Sequence, residues 1–268
     1  LLEKEQLMVA SLVNDLDGQR TPGERATDIA RFRMALTSAW QTADSSPVRP
    51  GVEDEREHVG FYLTNVLYRV MPVLYETLET ALGETFGTTI DVPRLLRFGT
   101  WVGGDMEGTP DVHAKTIRET LARQQQVIIN EYYTECQQLS QLLSQSASRI
   151  EVSAELRRRI DEYATLLPAA RSVVASRHDQ MPYRVFFAQL GERLRHTYEG
   201  RAGRYERVEQ FRADLLLATR SLKSNRGVHA GYQLVRRLLL RVDTFGFHLA
   251  TLDLKQRADV HHRVIAQG

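Results

Sequence analysis

The apolar positions Leu2, Leu7, Met8 and Leu12 recur at helical spacing, and Gly18 with Pro22 closes that segment, so the chain opens on a helix. A second helix is predicted from about Thr21 to Asp44, with Thr21 as N-cap and Pro22 at the first helical position. Residues 45–51 read as a loop. From Glu53 to about Leu82, Leu63, Val66, Leu67, Val70, Leu74, Leu78 and Leu82 repeat with a period of about 3.6, which predicts one long amphipathic helix bent at Pro72.

The pattern then changes. Leu95 to Val102 is short, aromatic and bounded by Pro93 and Gly103, which predicts a buried strand over about 95–102. Thr109 as N-cap, Pro110 at the first position and Asp111 in the first turn lead into a long helix running from Lys115 to about Ser148. Further helices are predicted at about 153–167, 182–199, 204–223 and, past Ser224-Asn225-Arg226-Gly227, 228–242. Residues from Phe245 to Leu254 alternate and carry aromatics, giving a second strand over about 246–254, and a short helix follows from Ala258. The fold class is therefore mainly α, long helices with two short strands. Lone strands leave backbone groups unbonded, so these two must pair with each other or with strands outside the chain.

Composition narrows the function classes. The chain has 268 residues, 42% hydrophobic and 26% charged, the balance of a soluble globular protein. Thirty-five Lys and Arg against 34 Asp and Glu leave a net charge of +1, so no global field recruits nucleic acid or an anionic membrane. Cys136 is the sole cysteine, which excludes an internal disulfide and a cysteine zinc cluster; it reads as an inert core thiol. No apolar run approaches the ~20 residues that span a bilayer, and the first residues do not form a signal peptide. Because residue 1 is Leu, not Met, and already belongs to a helical pattern, the chain is expected to be an internal piece of something longer.

Two stretches could hold chemistry. Trp101 to Pro110 joins a strand to a helix through Gly103, Gly104 and Gly108, a geometry that lets backbone amides approach an anion. Asp105 and Glu107 in the same loop would need a basic partner or a metal, and a purely structural turn is the competing reading. At the end of the second strand, alternation puts Asp253 and Lys255 on one face, where they either line a site or are solvated. His58, His113, His178, His196, His229, His248, His261 and His262 show no metal-ligand spacing. Arg157-Arg158-Arg159 and Arg236-Arg237 read as solvated helix faces balanced by nearby carboxylates.

Taken together, these residues resemble a known family. Phe98 to Pro110, FGTWVGGDMEGTP, is similar to the F-x-S-W-M-G-G-D-R-D-G-N-P signature of phosphoenolpyruvate carboxylase. Trp40-Gln41-Thr42 with Arg49-Pro50 and Asp54-Glu55 resembles the family's W-x-T…R-P…D-E stretch, and Pro182-Tyr183-Arg184 its P-Y-R. Phe245-Gly246-Phe247-His248-Leu249 through Asp253-Leu254-Lys255-Gln256 and His261 follows its F-G-x-x-L…D-I-R-Q…H.

The resemblance implies that residues 1–268 form a single helical segment of a larger, α-rich (β/α)8-type barrel whose two strands here are neighbours with carboxyl ends facing the active site. It implies an enzyme that joins bicarbonate to phosphoenolpyruvate, using Mg²⁺ or Mn²⁺, in a cytoplasmic homotetramer. Trp101 matches the tryptophan of the bicarbonate site and Lys255 the arginine that reaches the phosphate-bearing substrate; Gly103, Gly104 and Asp105 complete the matched substrate loop. Departures stand at Met106, Glu107, Thr109 and Lys255, where the family has Arg, Asp, Asn and Arg. The family's catalytic histidine is expected before residue 1 and its metal ligands after residue 268, so no catalytic or metal residue is expected within the chain, and the chain alone is expected to be inactive. Met106 and Lys255 also favour an alternative, a non-catalytic helical scaffold or regulatory protein descended from the family.

Overall fold

A computed structural model describes residues 2–42, 50–90, 92–109, 111–168 and 178–267. The chain packs as two compact units, Leu1–Gly51 and Val52–Gly268. Helix dominates, with two strands of two residues each among the described residues, which is the mainly α class that the hydrophobic pattern predicts.

The first unit is a helical hairpin of α1, Leu2–Asp15, and α2, Pro22–Trp40. Thr21 caps α2 as expected: its hydroxyl accepts the Glu24 amide while the Glu24 carboxylate accepts the Thr21 amide, so two helix-end donors are satisfied reciprocally. These hydrogen bonds hold the Glu24 carboxyl below its usual pKa. The helix stops at Trp40, and Asp44 and Arg49 lie outside the described residues. Lys4 ties the hairpin by donating to the Ser38 carbonyl at 3.1 Å and to the Thr42 hydroxyl at 2.6 Å.

In the second unit the expected long helix is three segments: α3, Val52–Phe61, a π-helical turn over Tyr62–Leu67, and α4, Tyr68–Phe86. Pro72 does not mark the irregularity; the π turn one helical turn earlier does. Proline has no N–H to give the Tyr68 carbonyl, and Arg241 fills that role, donating Nε to it at 3.0 Å. The face predicted to be buried is also displaced. Val70 and Leu74 are exposed, whereas Tyr68, Met71, Pro72 and Tyr75 are buried, because the π turn inserts extra backbone and rotates everything after it.

The remaining elements are α5, Ala114–Leu142; α6, Ala154–Leu166; α7, Pro182–Glu199; α8, Val208–Ser224; a second π-type turn, Val228–Tyr232; α9, Gln233–Phe245; and α10, Ala258–Ile265. The expected Thr109 N-cap is corrected: a turn in which Val112 donates to the Thr109 carbonyl comes first, and His113 caps α5 through Thr116. Pro110 lies outside the described residues. The core is built on α5 and α7, with Ile128, Ile129, Tyr132 and Cys136 facing Phe186, Phe187, Leu190 and Leu194, closed by Phe211, Leu215 and Leu222 of α8 and Val235 and Leu238 of α9. Cys136 is fully buried and unpaired, and burial pushes its thiol pKa well up, as suits an inert core thiol.

The arginine runs are not simply solvated. Arg236 and Arg237 of α9 pair with Glu79 and Glu76 of α4. Arg159 of α6 reaches Asp214 of α8, a carboxylate with no exposed surface that also accepts the hydroxyls of Tyr163 at 2.6 Å and Tyr205 at 2.8 Å. Arg241 binds both oxygens of Glu135 at 2.8 and 2.9 Å. These are donors that a buried acid requires.

The strands are shorter than predicted. β1 is Gly99–Thr100 and β2 is Thr251–Leu252; they pair in parallel with Gly99 opposite Thr251 and Thr100 opposite Leu252. Leu95 and Leu96 are exposed rather than buried, and their amides bond to the Tyr75 hydroxyl at 2.9 and 3.4 Å instead of to a neighbouring strand.

Candidate active site

The parallel pair brings the two candidate stretches together at its carboxyl end. Thr251 donates to the Phe98 carbonyl and Asp253 to the Thr100 carbonyl, both at 2.8 Å. Beyond Thr100 the glycine loop does not leave: Lys255 donates its amide to the Gly104 carbonyl at 3.0 Å, Met106 donates to the Lys255 carbonyl at 2.9 Å, and Asp105 and Lys255 form a further parallel bridge.

Two glycines make this approach feasible. Gly103 adopts φ +83° with its α-carbon against Thr120 of α5, where a Cβ would come within 2.2 Å of the threonine hydroxyl. At Gly104 a Cβ would stand 2.3 Å from the Asp253 carbonyl oxygen. Thr120 is fully buried and its hydroxyl has no hydrogen-bond partner, so the loop rests on an unsatisfied polar atom.

With the backbones joined, the side chains of Trp101 and Lys255 meet. The ammonium lies over the indole, 4.6 Å from the ring centroid, and Trp101 is 55% exposed. Lys255 is exposed and forms no ion pair with any described residue, so its charge is free for an anion. The indole face holds the cation where it is, a contact worth ~0.5–1 kcal/mol at an exposed site.

Asp253 and Lys255 are not a pair; the Asp253 carboxylate lies on the Gly99 side of the strand. Asp105 forms no ion pair with any described residue. Its Oδ1 accepts the amides of Glu107 and Gly108, each at 3.1 Å, so the acid organises its own loop and needs no arginine at the position of Met106 to be satisfied. Met106 itself receives the Gln256 amide at its sulfur, 3.7 Å away. Tyr183 of the P-Y-R stretch is buried and its hydroxyl meets Ser221 at 2.9 Å, while Arg184 donates to the Gln141 carbonyl at 2.6 Å; that stretch packs helices and lines no site with Trp101. Trp40 belongs to the first unit and is 90% exposed. Thr120 and Asp214 were not legible as special residues except in one respect: each is a polar residue at a core position of an apolar stripe.

In this mainly helical protein the parallel strand pair presents at its carboxyl ends an indole and a cation that has no ion pair among the described residues. Comparison with known proteins makes the relationship specific. The chain belongs to the phosphoenolpyruvate carboxylase family, whose profile matches residues 1–267. It is 58% identical over its whole length to the phosphoenolpyruvate carboxylases of Xanthomonas euvesicatoria pv. vesicatoria (strain 85-10) and Xanthomonas campestris pv. campestris (strain 8004). It is 33% identical to that of Ralstonia nicotianae over 98% of the chain, which is 28% of that protein. The chain spans about 30% of the length of the two Xanthomonas relatives.

Proposed function

We propose that this chain forms one wall of the active site of a phosphoenolpyruvate carboxylase, a carbon–carbon lyase that makes oxaloacetate and phosphate from phosphoenolpyruvate and bicarbonate. The observation that carries the reading is the Lys255 ammonium, without an ion pair among the described residues, held against Trp101 at the carboxyl ends of a parallel strand pair. Phosphoenolpyruvate is a small polyanion, and Lys255 supplies a point charge for it. An arginine there would add a bidentate fork; the lysine keeps the attraction without that geometry.

In the proposed reaction the phosphoryl group passes from phosphoenolpyruvate to a bicarbonate oxygen, giving carboxyphosphate and the enolate of pyruvate. The enolate carbon then attacks the carboxyl carbon, and phosphate leaves. Trp101 presents an apolar face beside Lys255, which keeps water from the reactive carboxyphosphate. Mg²⁺ or Mn²⁺ would offset charge on the transferred group, but among the described residues no three His, Cys, Asp or Glu side chains gather to hold a metal, so this wall does not fit the ion and no step runs through it here. The complete enzyme is proposed to be a cytoplasmic homotetramer, with the proton-transfer and metal-binding groups supplied from outside this chain, and the 268 residues alone to release no oxaloacetate.

The test is a coupled oxaloacetate assay on the whole protein. Lys255→Ala should raise the KM for phosphoenolpyruvate about ten- to a hundredfold, the equivalent of one charge-assisted contact, and Lys255→Arg should preserve or improve it. An alanine variant that matches the parent would end the role given to Lys255.

A further inference from the structure

At the entry to β2, away from Lys255, a cavity of about 280 Å³ opens beside α3, the first π turn and α5, lined in part by Arg56, Glu57, Phe61, Arg123, Val127 and Leu249. Neither of its two guanidinium groups meets a carboxylate on a neighbouring helix among the described residues. Arg159, Arg236, Arg237 and Arg241 each meet a carboxylate on a neighbouring helix. Arg56 is 83% buried by its side chain's 17% exposure, yet its carboxylate contact is Glu53 at 3.4 Å, itself 79% exposed, and its Nε is buried with no hydrogen-bond partner. Arg123, at the cavity's rim, is exposed and forms no ion pair with any described residue. Glu57 also lines the cavity but is exposed.

A buried donor without an acceptor is costly to keep, and an anion that enters beside it would meet both guanidinium groups. Part of the lining is apolar. Phe61, Val127 and Leu249 present ring and aliphatic surface, and Leu249 holds its buried side chain there from a left-handed backbone, φ +60°, which a leucine adopts only under constraint. The constraint is visible: with its amide turned, Gln124 donates to the carbonyls on either side of Leu249, His248 at 3.0 Å and Ala250 at 3.1 Å. Thr64 and Asn65 of the π turn complete the wall, and a π turn widens a helix at such places.

We propose that this cavity binds a small organic carboxylate, with Arg56 and Arg123 on the oxyanion and Phe61, Val127 and Leu249 on its carbon body. The volume is that of about nine waters, which suits an acid of about ten non-hydrogen atoms or fewer. A bare inorganic anion would leave the apolar wall unused, and a neutral hydrocarbon would leave Arg56 Nε unpaired.

Titration calorimetry on the whole protein with hexanoate tests this, with hexan-1-ol and chloride as controls. Saturable hexanoate binding is expected, weakened about tenfold or more in Arg56→Gln and in Arg123→Gln, the scale of one charge-assisted hydrogen bond. Lys255→Ala should leave it unchanged, which separates this cavity from the substrate end and makes the result independent of the proposed reaction. Val127→Phe, which narrows the cavity and leaves both cations in place, should abolish it; circular dichroism checks that each variant keeps its helices. Absence of hexanoate binding, equal binding of hexan-1-ol, or arginine variants that bind like the parent would overturn the proposal.

Discussion

Gly104 and Lys255 are joined through their backbones, the carbonyl of one accepting the amide of the other at 3.0 Å, so the glycine loop and the end of β2 behave as a single piece of structure. Whatever moves the loop moves the cation.

That relationship predicts a contrast between two glycines. Gly104→Ala puts a methyl group 2.3 Å from the Asp253 carbonyl oxygen, and backbone cannot step aside as a side-chain tip can. A cost of ~3 kcal/mol, at the upper end for overpacking, is expected, with loss of carboxylation in the whole protein. Gly108→Ala meets the Asp105 carboxylate at 3.2 Å, a flexible neighbour, and should cost under ~1 kcal/mol. Denaturant midpoints of the two variants check the difference.

Arg241 has two duties, the Tyr68 carbonyl left over by Pro72 and the carboxylate of Glu135. Arg241→Met strands both, and removing one partner of a mostly buried pair costs ~3–5 kcal/mol. Burial raises the pKa of Glu135, so in the variant the acid escapes its penalty by taking a proton. The destabilisation should therefore shrink as pH falls, and Arg241→Met with Glu135→Gln should be more stable at neutral pH than Arg241→Met alone. Urea unfolding across pH measures both.

Buried tyrosines predict an alkaline transition. Burial pushes the Tyr163 hydroxyl up to about 12, and Tyr68, Tyr132 and Tyr205 rise as well. An acid group whose pKa is raised by folding contributes stability that is complete below its unfolded value, ~10 for tyrosine, and is lost as pH climbs through the folded value. Stability should fall from about pH 10 upward, with phenolate absorbance and helix loss appearing together. Phenolate forming in full before any helix is lost would contradict the burial described here.

Much of this was readable from residue order. The helices from 154 to 166 and 182 to 199 match their predicted spans because each has an apolar stripe and a clear end signal, Ser153 before one and Gly200 after the other. The meeting of Trp101 and Lys255 was readable only through family resemblance, since nothing local pairs residues so far apart. The inward face of α4 was not fully readable: Tyr68 and Tyr75 take core positions there, Tyr75 also serving the amides of Leu95 and Leu96, while Val70 and Leu74 of the stripe that periodicity favours face outward. The acid at 214 could have been noticed, since Phe211, Leu215, Ala218 and Leu222 leave it on their own stripe, but its partners on α6 and α7 could not.

The π turn at Tyr62–Leu67 acts on α4 as a phase setting. One residue more or less in a helix rotates all that follows by about 100°. Glu76 and Glu79, which meet Arg237 and Arg236, lie downstream of that turn, as do Tyr68 and Tyr75. A single-residue deletion within it, harmless to helix content, would swing the carboxylates away from α9 and the tyrosines out of the core, so the length of this turn is under tighter constraint than the identity of most of its residues.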